Sequence, residues 1–129
     1  MIYVDASVAL AHLLGEDRAP PKRLWEDRLV ASRLLEYESW TRVHALGLAS
    51  SHGAKLQALL ERIALVEMVP PVLRRALAPF PIPVPTLDAL HLATVEFLRE
   101  RRLDVSLASY DKRLATAAGA LGVPLTDLA

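Results

Sequence analysis

The sequence has no cysteine, no net charge and no apolar run of bilayer length that is uninterrupted by charge. The absence of thiols excludes disulfides, zinc–thiolate sites and cysteine catalysis, and it favours an intracellular protein. Fifteen Lys and Arg balance fifteen Asp and Glu, so the overall charge does not itself indicate a nucleic-acid partner. Residues 1–5 lack the charged start and long apolar run of a signal peptide, so a soluble, cytoplasmic protein without membrane association is expected.

The 129 residues, of which 53% are hydrophobic, are sufficient for one domain over 1–129. Short β-rich runs alternate with segments of helical periodicity. The predicted strands are 2–5, 29–32, 66–69, 105–108 and 123–125. The first predicted helix is 7–14, capped by Ser7, and a short helix carrying Leu24 and Trp25 begins with Pro20 and Pro21 in its first turn. A helical hairpin over 33–63 is predicted to break at Gly53, and a short helix contains Leu73 and Leu77. The last two predicted helices are 87–101, capped by Thr86, and 111–120. This alternation, with a loop at 15–17 and a proline-dense loop at 79–85, predicts an α/β fold with a parallel sheet covered on both faces.

Four acidic residues follow predicted strands or begin predicted helices. Asp5 ends the first strand and Asp111 lies three residues past the fourth, while Asp88 and Glu38 lie in early helical turns. Because ligands bind at the carboxyl ends of parallel strands, these side chains are expected to converge at one edge of the sheet. Converging carboxylates repel unless a cation neutralises them, and hard oxygen ligands select Mg²⁺ or Mn²⁺. The sequence therefore predicts a divalent-metal site.

Each acid also has a structural interpretation. Asp88 and Asp111 are equally compatible with ordinary helix capping and with a complement to the helix dipole. Asp5 is harder to explain in this way, because an acid at the end of a buried strand needs a partner or a metal.

Four segments of the chain carry a resemblance to a known family. They are Asp5-Ala-Ser7, Ser32-Arg-Leu-Leu-Glu-Tyr-Glu38, Leu87-Asp-Ala-Leu-His-Leu-Ala93, and Ser109-Tyr-Asp-Lys-Arg-Leu114 followed by Gly122-Val. In their order and spacing these segments resemble the motif regions of PIN domains, and in particular of VapC-type toxin ribonucleases from VapBC toxin–antitoxin pairs. The resemblance runs nearly end to end, and it implies a three-layer α/β/α sandwich with four to five short strands and about seven helices.

The resemblance also implies the function and its residues. Asp5, Glu38, Asp88 and Asp111 would be catalytic, with one or two Mg²⁺ or Mn²⁺ ions held by Asp5, Asp88 and Asp111. Ser7 and Ser109 would be supporting hydroxyls. The family hydrolyses RNA, and its VapC-type members pair with a VapB-type antitoxin and commonly form homodimers.

Two positions leave a choice open. Glu36 and Glu38 are two residues apart on one helix, so they point roughly 200° apart and cannot readily share a site. Glu38 is preferred because it lies six residues after Ser32, as in the family pattern, and because Leu34 and Leu35 turn its face inward. His91, one turn after Asp88, either bonds that acid or substrate, or supports the site from behind.

Several basic residues flank the acidic positions: Arg33, Arg42, Lys112 and Arg113. Of these, Arg42, Lys112 and Arg113 are the candidates for binding substrate phosphates, and solvated charges on helix faces are the equal alternative.

Three other functions compete with the ribonuclease. A receiver-type phosphorylation domain usually has adjacent acids after its first strand, whereas Ala6 follows Asp5. A haloacid-dehalogenase-type phosphatase would need an Asp at the position of Ser7. A PIN-fold module that binds RNA or protein without cutting ranks below the enzyme, because all four acids are present.

Overall fold

The computed structural model describes residues 1–15 and 17–129; Glu16, in the loop predicted at 15–17, lies outside the described residues. The strands are β1 (Ile2–Val4), β2 (Leu29–Ser32), β3 (Ala64–Val66) and β4 (Ser106–Ala108). The helices are α1 (Ala6–Leu14), α2 (Leu34–Ala45), α3 (Ala49–Glu61), α4 (Pro70–Leu77), α5 (Thr86–Glu100) and α6 (Lys112–Ala120), with a short 3-10 helix at Lys22–Glu26.

The four strands form a parallel sheet in the order β3-β2-β1-β4. The chain moves outward from β1 to β3 and then crosses back to place β4 on the other side of β1. This reversal creates a topological switch point between β1 and β4, and the crevice outside the carboxyl ends of those strands is where such sheets bind ligands. The predicted fifth strand at 123–125 is reduced to a single parallel bridge between Leu125 and Leu107.

Helices cover both faces of the sheet, as the continuously apolar strands predict. Ile2, Val4 and Ala31 share one hydrophobic cluster with residues of α1, α2 and α3. Tyr3 and Val30 point to the other face, where they cluster with residues of α5 and α6. The helices on both faces of the parallel sheet confirm the predicted α/β class. The start of α5 lies at the same edge of the sheet as the end of β1.

The predicted helical hairpin forms, but its break is not at Gly53. The chain turns at Gly47, whose φ of 68° is a left-handed conformation that favours glycine. Gly53 lies inside α3, where a Cβ atom would stand 3.2 Å from the Trp40 ring. Gly53 therefore permits close packing of α3 on α2 and does not end a helix.

The third strand and two helix caps also differ from prediction. The strand predicted at 66–69 is β3 at Ala64–Val66, because Pro70 and Pro71 form the first turn of α4 and Val69 is its cap. Asp5, not Ser7, caps α1. Thr86 is the first residue of α5 and makes no capping bond, since the cap position is held by Pro85. Within residues 1–15 and 17–129, no helix combines the length and apolarity needed to cross a bilayer.

Candidate active site

Asp5 lies at the switch point, between the end of β1 and the start of α1. Its backbone N–H donates to the Ala108 carbonyl at 3.4 Å, which ties it to the end of β4. Its side chain is 5% exposed and accepts hydrogen bonds from the hydroxyls of Ser7 at 2.6 Å and Ser109 at 2.5 Å, and from the Val8 N–H at 3.3 Å. Burial raises the pKa of Asp5, although these three donors favour the carboxylate.

Ser7 and Ser109 also connect Asp5 to the loop after β4. The Ser7 hydroxyl accepts the Tyr110 N–H at 2.9 Å, and the Ser109 hydroxyl accepts the Asp111 N–H at 2.9 Å. Each serine thus donates to the Asp5 carboxylate while it accepts from backbone. The two hydroxyls predicted to support the acids therefore fix the position of Asp5 relative to Asp111.

Asp111 is the N-cap of α6. One of its carboxylate oxygens accepts the backbone N–H groups of Arg113 at 2.9 Å and Leu114 at 3.2 Å. The capping interpretation of Asp111 is thus correct in geometry. It does not exclude a second role, because the cap uses only one carboxylate oxygen.

Asp88 lies in the first turn of α5, directly after the proline-dense loop. Burial and the nearby carboxylate of Asp111 raise the pKa of Asp88, and Asp5 adds to this effect. His91 and Arg113 act in the opposite direction. Asp88 therefore lies near enough to Asp111 and Asp5 for their charges to disfavour its ionisation, as expected for acids that converge on one crevice.

Glu38, on α2, reaches the same region through His91. The His91 ring is 3% exposed and lies between two partners, with its Nε2 atom 2.6 Å from Glu38 Oε1 and its Nδ1 atom 2.6 Å from the Tyr3 hydroxyl. The Tyr3 hydroxyl in turn accepts the Ser32 N–H at 3.1 Å. Of the two sequence-based interpretations of His91, the supporting role fits this geometry, although its partner is Glu38 and not Asp88.

The two glutamates of α2 differ in their surroundings. Glu36 lies 3.5 Å from the Arg33 guanidinium, which also binds Glu67. These groups form an exposed ion-pair cluster, so Arg33 is occupied by carboxylates. The structure therefore bonds Glu38 to His91, one helical turn after Asp88, and places Glu36 in a surface ion pair.

The three candidate phosphate-binding residues differ in their position relative to the acidic residues. All three are exposed, and Arg113 lies near enough to Asp88 to lower the pKa of that carboxyl. Arg42 is one helical turn beyond Glu38 on α2, and Lys112 is the first residue of α6. Of these three basic side chains, Arg113 is the one that lies close to an acid of the site, Asp88.

The donor set at this crevice suits a hard divalent cation, since it consists of carboxylates and hydroxyls. Asp5 is a buried carboxylate held by neutral donors, and the charges of Asp88 and Asp111 add to its own. Within the described ranges, however, no three His, Asp or Glu side chains are gathered closely enough to ligate an ion as they stand. The residues fit the cation in chemistry, and the carboxylates would need to draw together around it.

Tyr3 is the residue of this site that the sequence did not reveal. It lies in β1 and is completely buried, and its ring meets His91 edge-on with 5.9 Å between the ring centres. Burial raises the pKa of Tyr3, so the phenol stays protonated at neutral pH. The sequence feature that could have identified Tyr3 is its hydroxyl group in an otherwise aliphatic strand. A buried tyrosine hydroxyl usually requires a hydrogen-bond partner, which would have predicted a polar neighbour for Tyr3.

The fold and this crevice define an open parallel α/β domain with an acidic site at its topological switch point. The family model of the PIN domain matches residues 2–120, and the chain therefore belongs to the PIN domain family. No curated protein matches the chain. PIN domains are typically nucleases that use divalent metal ions, so a nuclease-type hydrolase is the activity that membership suggests.

Proposed function

We propose that this protein is a Mg²⁺- or Mn²⁺-dependent endoribonuclease and the toxin of a type II toxin–antitoxin pair. The carrying observation is the arrangement of three acids at the carboxyl edge of the sheet: Ser109 links Asp5 to Asp111, and Asp88 lies near enough to both for their charges to raise its pKa. Asp5 and Asp111 cap helices, but a third carboxyl beside them has no such structural purpose, because like charges destabilise a fold that leaves them uncompensated.

In this proposal each acid has a defined task. Asp5, Asp88 and Asp111 would hold the divalent ion, which supplies an activated water and stabilises the leaving oxygen of the phosphodiester. Ser7 and Ser109 keep the Asp5 carboxylate in place. Glu38, bonded to His91, would accept the proton of the attacking water. Arg113, Arg42 and Lys112 would bind the phosphates of the RNA.

The toxin role rests on the resemblance of the four motif segments to VapC-type members. It implies a VapB-type antitoxin that occludes the crevice, and a homodimer. Induced expression in bacterial cells should arrest growth, and Asp5→Asn should restore it. A small antitoxin gene beside this one would support the pairing, and light scattering of the purified protein would give the subunit number.

Cleavage of end-labelled single-stranded RNA tests the enzymatic proposal directly. We expect cleavage with Mn²⁺ or Mg²⁺, none with EDTA, and none for Asp5→Asn. Asp104→Asn is the matched control, because Asp104 is an exposed acid that precedes β4 at the opposite edge of the sheet. Cleavage that persists in EDTA or in the Asp5→Asn variant would contradict the proposal.

A non-cleaving RNA- or protein-binding module is the second candidate. The observation that favours it is the spacing of the acids, since no three ligand side chains within 1–15 and 17–129 stand close enough to hold an ion. Binding of the same RNA without cleavage at any Mn²⁺ concentration would support this function over the first.

A further inference from the structure

When the His91 ring is neutral, the chain of hydrogen bonds from Ser32 to Glu38 has one direction. Its first member is the Ser32 backbone N–H, which can only donate, and its last is the Glu38 carboxylate, which can only accept. The two groups between them must follow that direction. Tyr3 therefore accepts from Ser32 and donates to His91 Nδ1, and His91 Nε2 donates to Glu38.

This direction selects one form of the His91 ring. A neutral imidazole with its proton on Nε2 satisfies both contacts, whereas a ring with its proton on Nδ1 would face Glu38 with a lone pair. Because His91 is 3% exposed and Tyr3 is fully buried, water cannot readily reach the ring nitrogens of His91 or the Tyr3 hydroxyl. Leaving one of these buried groups without a hydrogen bond would be costly. The arrangement thus holds the ring in one tautomer and one orientation.

Glu38 is the exposed end of this chain. Its side chain retains 25% of its accessible surface, against 4% for that of His91. A glutamate on a helix surface has several rotamers of similar energy, and a 2.6 Å bond from a buried ring restricts it to those that reach that ring. The second carboxylate oxygen makes no hydrogen bond to the part of the chain that the structure describes, so it is available to another group.

We propose that His91 is a positioning residue that, in the tautomer set by Tyr3 and Glu38, holds the Glu38 carboxylate in its working orientation at the acidic crevice. This inference rests on the proposed function, in which Glu38 takes part in RNA cleavage. Residues that orient a group at a metal site typically contribute about 10- to 100-fold to activity.

The first test is independent of activity. Nitrogen-15 NMR of the histidine rings at neutral pH should show one His91 signal pair with the proton on Nε2 and an unprotonated Nδ1. His91→Gln identifies the signals by their loss. A proton on Nδ1, or rapid averaging between tautomers, would overturn the inference, even if the protein proves not to cleave RNA. Failure of the proposed function alone would instead appear as absent cleavage with the predicted NMR signals.

The second test is a set of variants in the cleavage assay. His91→Leu should lower kcat by about 10- to 100-fold with little change in KM. His91→Gln should recover part of that loss, because an amide oxygen can accept from Tyr3 while its N–H donates to Glu38. Ser39→Ala is the matched control, since Ser39 is a fully buried neighbour of Glu38 whose hydroxyl makes no hydrogen bond within the described chain.

The third test separates positioning from a general effect on folding. If His91 acts through Glu38, His91→Leu should cause no further loss of kcat in a Glu38→Gln background. Independent, multiplicative losses in the double variant would overturn the inference. Thermal unfolding of every variant shows which ones are folded, and the NMR measurement on the unaltered protein decides the case if His91→Leu does not fold.

Discussion

The two edges of the sheet stabilise their acidic residues by different means. At the amino edge, Asp27 precedes β2, is half exposed and lies 3.7 Å from the amino group of Met1. At the carboxyl edge, Asp5 is buried and is held by two serine hydroxyls and a backbone N–H. The amino edge thus pairs an acid with a cation, and the carboxyl edge holds its acid with neutral donors.

This difference indicates which edge is built for function. Neutral donors stabilise a carboxylate without cancelling its charge, and the nearby Asp111 and Asp5 raise the pKa of Asp88. Arg113 moderates the charge of Asp88, but within residues 1–15 and 17–129 no ion pair joins Asp5 or Asp88 to a cationic side chain, whereas Asp27 lies beside the amino group of Met1. The proposed divalent ion would supply that positive charge at the carboxyl edge.

Asp111→Asn should give the largest effect and separates the two interpretations of this residue. Asparagine caps helices about as well as aspartate, so a purely structural Asp111 predicts no change. If Asp111 is a metal ligand, kcat should fall by about 100-fold or more at an unchanged unfolding temperature. If Asp111→Asn retains full activity, the conclusion that the carboxyl edge is the functional edge of the sheet is wrong for Asp111.

Mn²⁺ should stabilise the protein through the carboxyl edge alone. At a free concentration one hundred times its Kd, the ion would add about 2.7 kcal/mol to the free energy of unfolding, which differential scanning calorimetry can detect. Asp88→Asn should abolish most of this gain, and Asp27→Asn should keep it. Equal stabilisation of all three proteins would place the ion elsewhere.

The pH dependence of stability without metal should also differ between the edges. Burial raises the pKa of Asp5. A raised pKa means that Asp5 contributes stability below its unfolded pKa of roughly 4, and that this contribution is lost as pH rises through the folded pKa. In EDTA, the unfolding temperature of Asp5→Asn should therefore exceed that of the unaltered protein by an amount that grows with pH.

A constant difference between these two proteins across pH would show that Asp5 is not destabilised by ionisation in the fold. Asp27→Asn serves as the control, because it should show no growing advantage at higher pH. Circular dichroism melts between pH 4 and 8 are sufficient for the measurement.

The sequence predicted where Asp5 and Asp88 lie along the strands and helices, because those positions follow from local patterns. A short apolar strand ending at Asp5, and a helix beginning near Asp88, are visible within a few residues of each position. Parallel pairing then brings such residues to one edge of the sheet. The helix break was predicted wrongly for a related reason: Gly47 and Gly53 look alike locally, and only the contact of Gly53 with Trp40 distinguishes them.

The contacts of His91 could not be predicted in this way. Its partners lie 88 residues away in β1 and 53 residues away in α2. Helix and strand periodicity relate only residues that are close in sequence, so they could not predict these pairs. The preference for Glu38 over Glu36 came from the family pattern and from the inward face predicted by Leu34 and Leu35, and the structure adds the bond of Glu38 to His91.

Asp27→Asn should have the smallest effect of these substitutions, and it measures what the amino edge contributes. An exposed ion pair is generally worth less than about 1 kcal/mol, and the Asp27 side chain retains 49% of its exposure beside the Met1 amino group. We expect a loss of stability of at most about 1 kcal/mol, diminishing in high salt, with RNA cleavage and Mn²⁺ stabilisation unchanged. A loss of cleavage in this variant would mean that the two edges are coupled through β1 and β2, and the division of the sheet into a stabilising edge and a functional edge would then be wrong.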